Sequence, residues 1–260
     1  MANETQSPKD SLADNVTPLP RREGLKRGIY LLPNLITTGA LFAGFYSVIA
    51  SMSGDLEQAA IAIVIAGFLD SLDGRVARLT NTQSEFGVQY DSLSDLVAFG
   101  VAPALLMFSW VLMDLGKLGW FIAFLYMACA ALRLARFNTA PDSKVFFGLA
   151  SPAAAGTLST LAWVWHDNMT EPAGLEFGLP FGILTVVLAV LMVSNIRYYS
   201  PKHLDVNDRV PFLLMFAIVM LFVVVAVYPP GMLLLIGLTY AVSGPLVSLL
   251  RRRKKESGES

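Results

Sequence analysis

The sequence predicts an all-α integral membrane protein with about eight transmembrane helices. Three observations lead there. Apolar residues make up 55 % of the chain and charged residues only 15 %, too apolar for an ordinary soluble domain. Charge-free runs such as Phe212 to Tyr228 and Gly231 to Leu250 approach the length that crosses a bilayer core. The Lys and Arg residues also gather on one set of loops, as the positive-inside rule requires of a polytopic protein.

The elements follow in chain order. Met1 to Pro20 is polar, carries Pro8, Pro18 and Pro20, and has no apolar stretch to serve as a signal peptide; a disordered tail is expected there. Helix one is expected over Leu31 to Ser51, after Arg21, Arg22, Lys26 and Arg27. Gly54 to Gln58 reads as an acidic turn, and helix two runs from about Ala59 to Arg78. A polar turn over Thr80 to Glu85 leads into helix three, about Phe86 to Met113. Lys117 to Gly119 open helix four, which ends near Phe137, and Asn138 to Phe147 is a polar loop. Helix five spans about Ser151 to Trp165, helix six Leu179 to Ser194, helix seven Pro211 to Val227 and helix eight Gly231 to Leu250. The expected organisation is a cytoplasmic tail over 1–25, one polytopic membrane domain over 26–250 and a basic cytoplasmic tail over 251–260. Cys129 has no second cysteine to pair with and sits in an apolar helix, where packing is its expected role.

With eight helices, both termini and the loops after helices two, four and six share one side. That side holds Lys9, Arg21, Arg22, Lys26 and Arg27, then Arg75 and Arg78, then Arg133, Arg136 and Lys144, then Arg197, Lys202 and Arg209, and the tail Arg251 to Lys255. The other side holds Lys117 and the acids Asp55, Glu57, Asp114, Asp167, Glu171 and Glu176. The basic side is therefore expected to be cytoplasmic, in an inner membrane. The basic tail pins helix eight and suits anionic lipid headgroups.

Chemistry concentrates in Asp70-Ser-Leu-Asp73-Gly74-Arg-Val-Ala77-Arg78 and, eight residues on, Gly87-Val-Gln-Tyr-Asp91-Ser-Leu-Ser-Asp95. A carboxylate at the centre of a membrane helix costs roughly 2.5–3.5 kcal/mol on insertion scales. Four of them need compensation. Asp70 and Asp73 are three apart and share a face of helix two; Asp91 and Asp95 are four apart and share a face of helix three. The two helices are consecutive and joined by a short turn, so the acidic faces can meet. Asp70 lies about 12 Å along the axis from Arg78 at 1.5 Å per residue, which puts the carboxylates just inside the cytoplasmic surface, at the level of lipid phosphates.

Four converging carboxylates repel one another, and the helices hold too few cations to neutralise them. Hard divalent ions would do so. Carboxylate oxygens suit Mg2+ or Mn2+, and such ions in turn bind pyrophosphate oxygens. Two of them between the four aspartates would polarise a phosphate and stabilise its leaving group. Gly74 and Gly87 remove side chains where a nucleotide or a neighbouring backbone approaches, and Arg78 can hold a phosphate oxygen.

These residues resemble the signature of the CDP-alcohol phosphotransferase family, D-x2-D-G-x2-A-R-x8-G-x3-D-x3-D, at every fixed position: Asp70, Asp73, Gly74, Ala77, Arg78, Gly87, Asp91 and Asp95. The resemblance implies a six-helix membrane core with two further C-terminal helices here, commonly in a homodimer. It implies that Asp70, Asp73, Asp91 and Asp95 surround two metal ions, with Asp95 also the general base. It gives Gly74, Arg78 and Ser84 to the CDP headgroup, with Asn34 near the start of helix one a further candidate. The donor would be CDP-diacylglycerol.

Two more stretches resemble the phosphatidylserine synthase branch: Ala131-Leu-Arg133-Leu-Ala-Arg136-Phe-Asn138 and Phe147-Gly148-Leu-Ala-Ser151-Pro152-Ala-Ala-Ala-Gly156. A proline often precedes the Ser-Pro step in that branch, where this chain has Ala150. The branch implies L-serine as acceptor. Arg133 and Arg136, three apart at the cytoplasmic end of helix four, are expected to flank one face. Ser151 is expected to cap helix five, with Pro152 in its first turn, and Arg133, Arg136 and Ser151 become candidates for the acceptor's carboxylate. Positive-inside anchoring and an ordinary helix cap explain the same residues without a ligand. Ala153 to Gly156 reads as a close-packing surface.

Other alcohols, such as inositol phosphate, glycerol phosphate or choline, would use the same donor half. A transporter with an intramembrane acidic site would need polar residues continuing across the membrane, but Ala60 to Leu69 and Leu96 to Met107 are apolar. A structural scaffold has no use for four costly carboxylates. Membrane lipids are expected around the chain, and no nucleic-acid partner is expected.

Overall fold

The computed structural model describes residues 23–139, 147–169, 174–196, 198 and 212–256. Lys9, Arg21, Arg22, Lys144, Glu171, Arg197, Lys202 and Arg209, which entered the topology argument, lie outside the described residues. The described chain is built of eight helical rods: α1 Glu23–Ser53, α2 Leu56–Leu79, α3 Glu85–Leu115, α4 Lys117–Thr139, α5 Ser151–Asn168, α6 Leu175–Val193, α7 Phe212–Val227 and α8 Pro229–Glu256. Among the described residues there is no strand.

Five stretches are long and apolar enough to cross a membrane by themselves: Leu31–Ser53, Glu85–Leu115, Lys117–Thr139, Glu176–Val193 and Pro229–Ser248. These make the protein membrane-embedded. The remaining rods fall short for identifiable reasons. α2 carries Asp70, Asp73, Arg75 and Arg78, α5 is rich in Ser and Thr, and α7 has only 16 residues.

Sequence chemistry sets the corners. Gly54 takes φ 83° between α1 and α2, and Gly116 takes φ 57° between α3 and α4, conformations open to glycine at no steric cost. Asn81, which tolerates the left-handed region, turns the chain after α2 at φ 51°. Ser84 then caps α3, its hydroxyl accepting from the Gly87 amide at 3.0 Å.

α3 departs from a plain α-helix. It opens as an α-helix over Glu85–Asp95, widens to a π turn over Leu96–Val101, returns to α over Ala102–Met107, and widens again over Phe108–Leu112. Pro103 lies between the two π turns and has no amide to give to the preceding turn. The carbonyl of Phe99, one turn back, instead accepts the buried Tyr126 hydroxyl of α4 at 3.2 Å. The first π turn starts immediately after Asp95.

α1, α2, α4, α5 and α6 pack around α3, α5 lies between α2 and α8, and α7 lies against α8. Small side chains permit these approaches. Ala59, Ala60, Ala66, Ala98, Ala102, Ala130, Ala154 and Ala155 are all buried, and a Cβ on Gly44 would stand 2.7 Å from the Ala98 Cα. The expected packing role of Ala153 to Gly156 holds at Ala154 and Ala155. Cys129 is buried, as its packing role requires.

Candidate active site

The short corner between α2 and α3 folds the acidic faces together. One carboxylate oxygen each from Asp70, Asp91 and Asp95 lie within 4.8 Å of one another. Asp70 and Asp95 are close neighbours within this trio. Asp73 stands beside this trio, 4 % exposed, with its Oδ2 accepting from the Thr37 hydroxyl at 2.6 Å. Asp91 Oδ1 is buried with no hydrogen-bond partner. A buried, unpaired carboxylate oxygen facing two further carboxylates is a costly arrangement for protein groups alone. An oxygen-only donor set of this kind suits a hard divalent cation, so the residues present fit such an ion.

A cleft opens beside Asp73 and Asp91, lined by Asn34 and Thr37 from α1, Gly74 and Arg78 from α2, and Ser84 and Gly87 at the start of α3. Every residue expected at the CDP headgroup therefore meets in one place. The two glycines differ in what they do there. A Cβ on Gly87 would stand 3.2 Å from Ser84 Oγ and 3.4 Å from Asn34 Oδ1, so its absence lets the start of α3 close up against α1. A Cβ on Gly74 would meet only Arg78, at 3.8 Å. The bare backbone at Gly74 thus leaves cleft space that no protein atom fills.

α1 is fastened to this site by hydroxyl groups that the sequence analysis passed over. Ser94 donates to the Thr37 carbonyl at 3.2 Å, and Thr38 and Tyr90 share a hydrogen bond of 2.9 Å. Ser92 pairs with Asn138 of α4 at 3.0 Å. The available signal was spacing, since Thr37 and Thr38 fall one turn after Asn34.

Arg133, on α4, adds its charge to the surroundings of Asp95. Its charge faces Asp95 and Tyr240, its Nη1 donates to Ser151 Oγ at 3.1 Å, and its Nε is buried with no hydrogen-bond partner. Arg136 does not join it. That guanidinium is exposed, donates to Asn195 Oδ1 at 2.9 Å and lies 5.5 Å from the Phe147 ring centroid. Three residues on a helix differ by about 60° in direction, and here that rotation separates an inward arginine from an outward one. The cap expected at Ser151 is also shifted. Ala150 is the N-cap, with no side-chain cap bond, and Ser151 begins the helix with its hydroxyl turned to Arg133. The reason lies in the preceding loop. Gly148, at φ 80°, and Leu149 donate their amides to the carbonyls of Ile196 and Leu191 at 2.9 Å, which locks the chain into α5 one residue early.

An all-helical, membrane-embedded chain with this acidic cluster and cleft has the parts of a lipid phosphotransferase. The family model for CDP-alcohol phosphatidyltransferase matches residues 30–243, and the chain belongs to that family. A CDP-diacylglycerol–serine O-phosphatidyltransferase of Helicobacter pylori strain J99 is 40 % identical over 198 residues, covering 75 % of this chain and 83 % of that protein. One of the same name from Methanocaldococcus jannaschii is 32 % identical over 209 residues, 80 % of this chain and 93 % of its own. An archaetidylserine synthase of Methanothermobacter thermautotrophicus is 36 % identical over 170 residues, 64 % of this chain and 69 % of its own.

Proposed function

We propose that this enzyme transfers the phosphatidyl group of CDP-diacylglycerol to L-serine, giving phosphatidylserine and CMP. The observation that carries the reading is the signature folded into one acidic cluster with a cleft beside it and the charge of Arg133 acting on Asp95, in a chain whose relatives at 32 to 40 % identity act on serine by name. Asn34, Gly74, Arg78 and Ser84 hold the CDP headgroup, Arg78 as the phosphate partner. Asp70, Asp73, Asp91 and Asp95 hold divalent cations, two Mg2+ or Mn2+ ions, whose charge would offset the pyrophosphate and the departing CMP.

Asp95 takes the proton from the serine hydroxyl. The hydroxyl oxygen forms a bond to the phosphorus on the diacylglycerol side, the bond from that phosphorus to the CMP oxygen breaks, and CMP leaves. Holding both reactants at one point converts the encounter into a near-unimolecular step. Arg133, held by Ser151 and acted on by the charge of Asp95, is the partner for the serine carboxylate, while Arg136 ties α4 to the Asn195 segment. The lysine and arginine distribution supports a cytoplasmic location for both termini and for the active site, in the inner membrane. His166 and Glu57, 3.7 Å apart, mark the opposite end. The catalytic domain is residues 26–250, in a homodimer.

The test is CMP release by purified protein given CDP-diacylglycerol, a divalent metal and a panel of alcohols. Serine is expected to support turnover well above the others. Turnover with glycerol phosphate or inositol phosphate but none with serine overturns the acceptor. Full activity in chelator overturns the metal role.

A further inference from the structure

α8 carries no charged residue between Pro229 and Leu250 and no part of the signature, yet it runs against α5 beside the site. A Cβ on Gly237 would stand 2.4 Å from Thr157 Oγ1, so the two helices touch there nearly backbone to backbone. One turn onward, the same face of α8 presents Tyr240. Its ring is braced by Tyr198, with centroids 5.4 Å apart. Tyr198 is itself fixed: it is buried, its hydroxyl donates to the Ala241 carbonyl at 3.0 Å, and Gly244 leaves the space its ring occupies. The two tyrosines therefore have different roles. Tyr198 spends its hydroxyl on backbone. The Tyr240 hydroxyl has no hydrogen-bond partner among the described residues and faces the charge of Arg133.

Arg133 completes the arrangement. One arm of its guanidinium is held by Ser151, and its buried Nε–H has nothing to bond. A desolvated cationic donor without an acceptor is costly, and an incoming oxyanion relieves it. Asp95 is the other charged neighbour of Arg133. A 2-amino-3-hydroxy acid carries its carboxylate two carbons from its hydroxyl, a span short enough to reach from a base to an adjoining arginine.

We propose that Tyr240 is an acceptor-binding residue: together with Arg133, whose Nε–H is unpaired, its hydroxyl holds the carboxylate of the hydroxy-amino acid and sets the preference for it over carboxylate-free alcohols. This rests on the serine reading above and adds the residue that selects the substrate. It also gives the last helix a part in the reaction.

Tyr240→Phe tests it, because phenylalanine keeps the ring and its contact with Tyr198 and removes only the hydroxyl. Purified full-length protein is assayed for CMP release with CDP-diacylglycerol and either L-serine or L-serinamide, whose carboxylate is replaced by an uncharged amide. The apparent KM for L-serine is expected to rise roughly tenfold, that for CDP-diacylglycerol to move less than twofold, and the preference for serine over serinamide to fall by a factor similar to the serine KM change. A thermal midpoint close to that of the wild type shows that the variant folds. A wild type that uses serine, beside a Tyr240→Phe enzyme with the same serine KM and the same preference, overturns this proposal alone. An equal rise in KM for both substrates overturns it as well. A wild type that does not use serine overturns the serine reading and this proposal together.

Discussion

Thr37→Val is the sharpest probe of how the cleft is held. Thr37 is 5 % exposed, and valine copies its shape while removing the hydroxyl. That hydroxyl has two oxygens in reach, Asp73 Oδ2 at 2.6 Å and the Pro33 carbonyl at 3.1 Å, but one proton to give. The shorter contact to a carboxylate is the stronger, so the proton belongs to Asp73. A hydrogen bond to a charged group contributes about 1.5–3 kcal/mol, equivalent to roughly one to two powers of ten at 1.4 kcal/mol per decade. In Thr37→Val, Asp73 loses this partner and can swing from its place beside Asp91. The metal concentration for half-maximal CMP release is expected to rise by at least tenfold, and the KM for CDP-diacylglycerol with it. Thr37→Ser, which keeps the donor, is expected to stay within about threefold of wild type. A metal titration of Thr37→Val that overlays the wild type would refute the reasoning, since it would mean that Asp73 needs no anchor or does not bear on the metal.

Asp95→Asn is expected to lose turnover by more than a hundredfold while retaining CDP-diacylglycerol binding better than Asp73→Asn, measured by equilibrium binding in detergent; the reverse order removes Asp95 from the role of base. Gly148→Ala is expected to destabilise the fold by about 1–3 kcal/mol, read as a lower thermal midpoint, because the site needs φ 80° and a Cβ would stand 2.2 Å from the Met192 carbonyl; an unchanged midpoint refutes the strain. Reporter fusions after Arg209 and at Glu171 are expected to read cytoplasmic and external respectively, and the opposite result at either position breaks the orientation.

What the sequence made legible follows the strength of each constraint. The bilayer demands long apolar runs and paired backbone, and the eight described helices were visible in order, five of them by apolar length alone. Helical spacing put Asp70 with Asp73 and Asp91 with Asp95 on their faces, and the short corner at Asn81 brought three of these carboxylates within 4.8 Å. The π turns of α3 were not legible, because hydropathy reports burial and not whether a turn holds 3.6 residues or more. Pro103 was the local hint, but its consequence depends on Tyr126, which is remote in sequence. Spacing alone likewise gave Arg133 and Arg136 one shared face. Ser151 and Asn195 come from different helix ends and pull the two arginines apart.

Tertiary placement also explains how an acidic cluster and an anionic acceptor share one site. Four carboxylates repel a substrate carboxylate as strongly as they attract cations, and in the membrane that repulsion is weakly screened. Ser94, bonded to Thr37, and Ser92, bonded to Asn138, hold the stretch of α3 between Asp91 and Asp95 against α1 and α4. α4 then brings the charge of Arg133 to bear on Asp95. One charged boundary thus runs between the acidic cluster and Arg133. An alcohol with a carboxylate near its hydroxyl can lie across that boundary with the hydroxyl at Asp95 and the carboxylate at Arg133. In the reversed pose the carboxylate meets the acidic trio and is expelled. On the proposed reading the charge arrangement would orient the acceptor as well as bind it, with residues from α3, α4 and α8, which have no contiguous sequence motif in common.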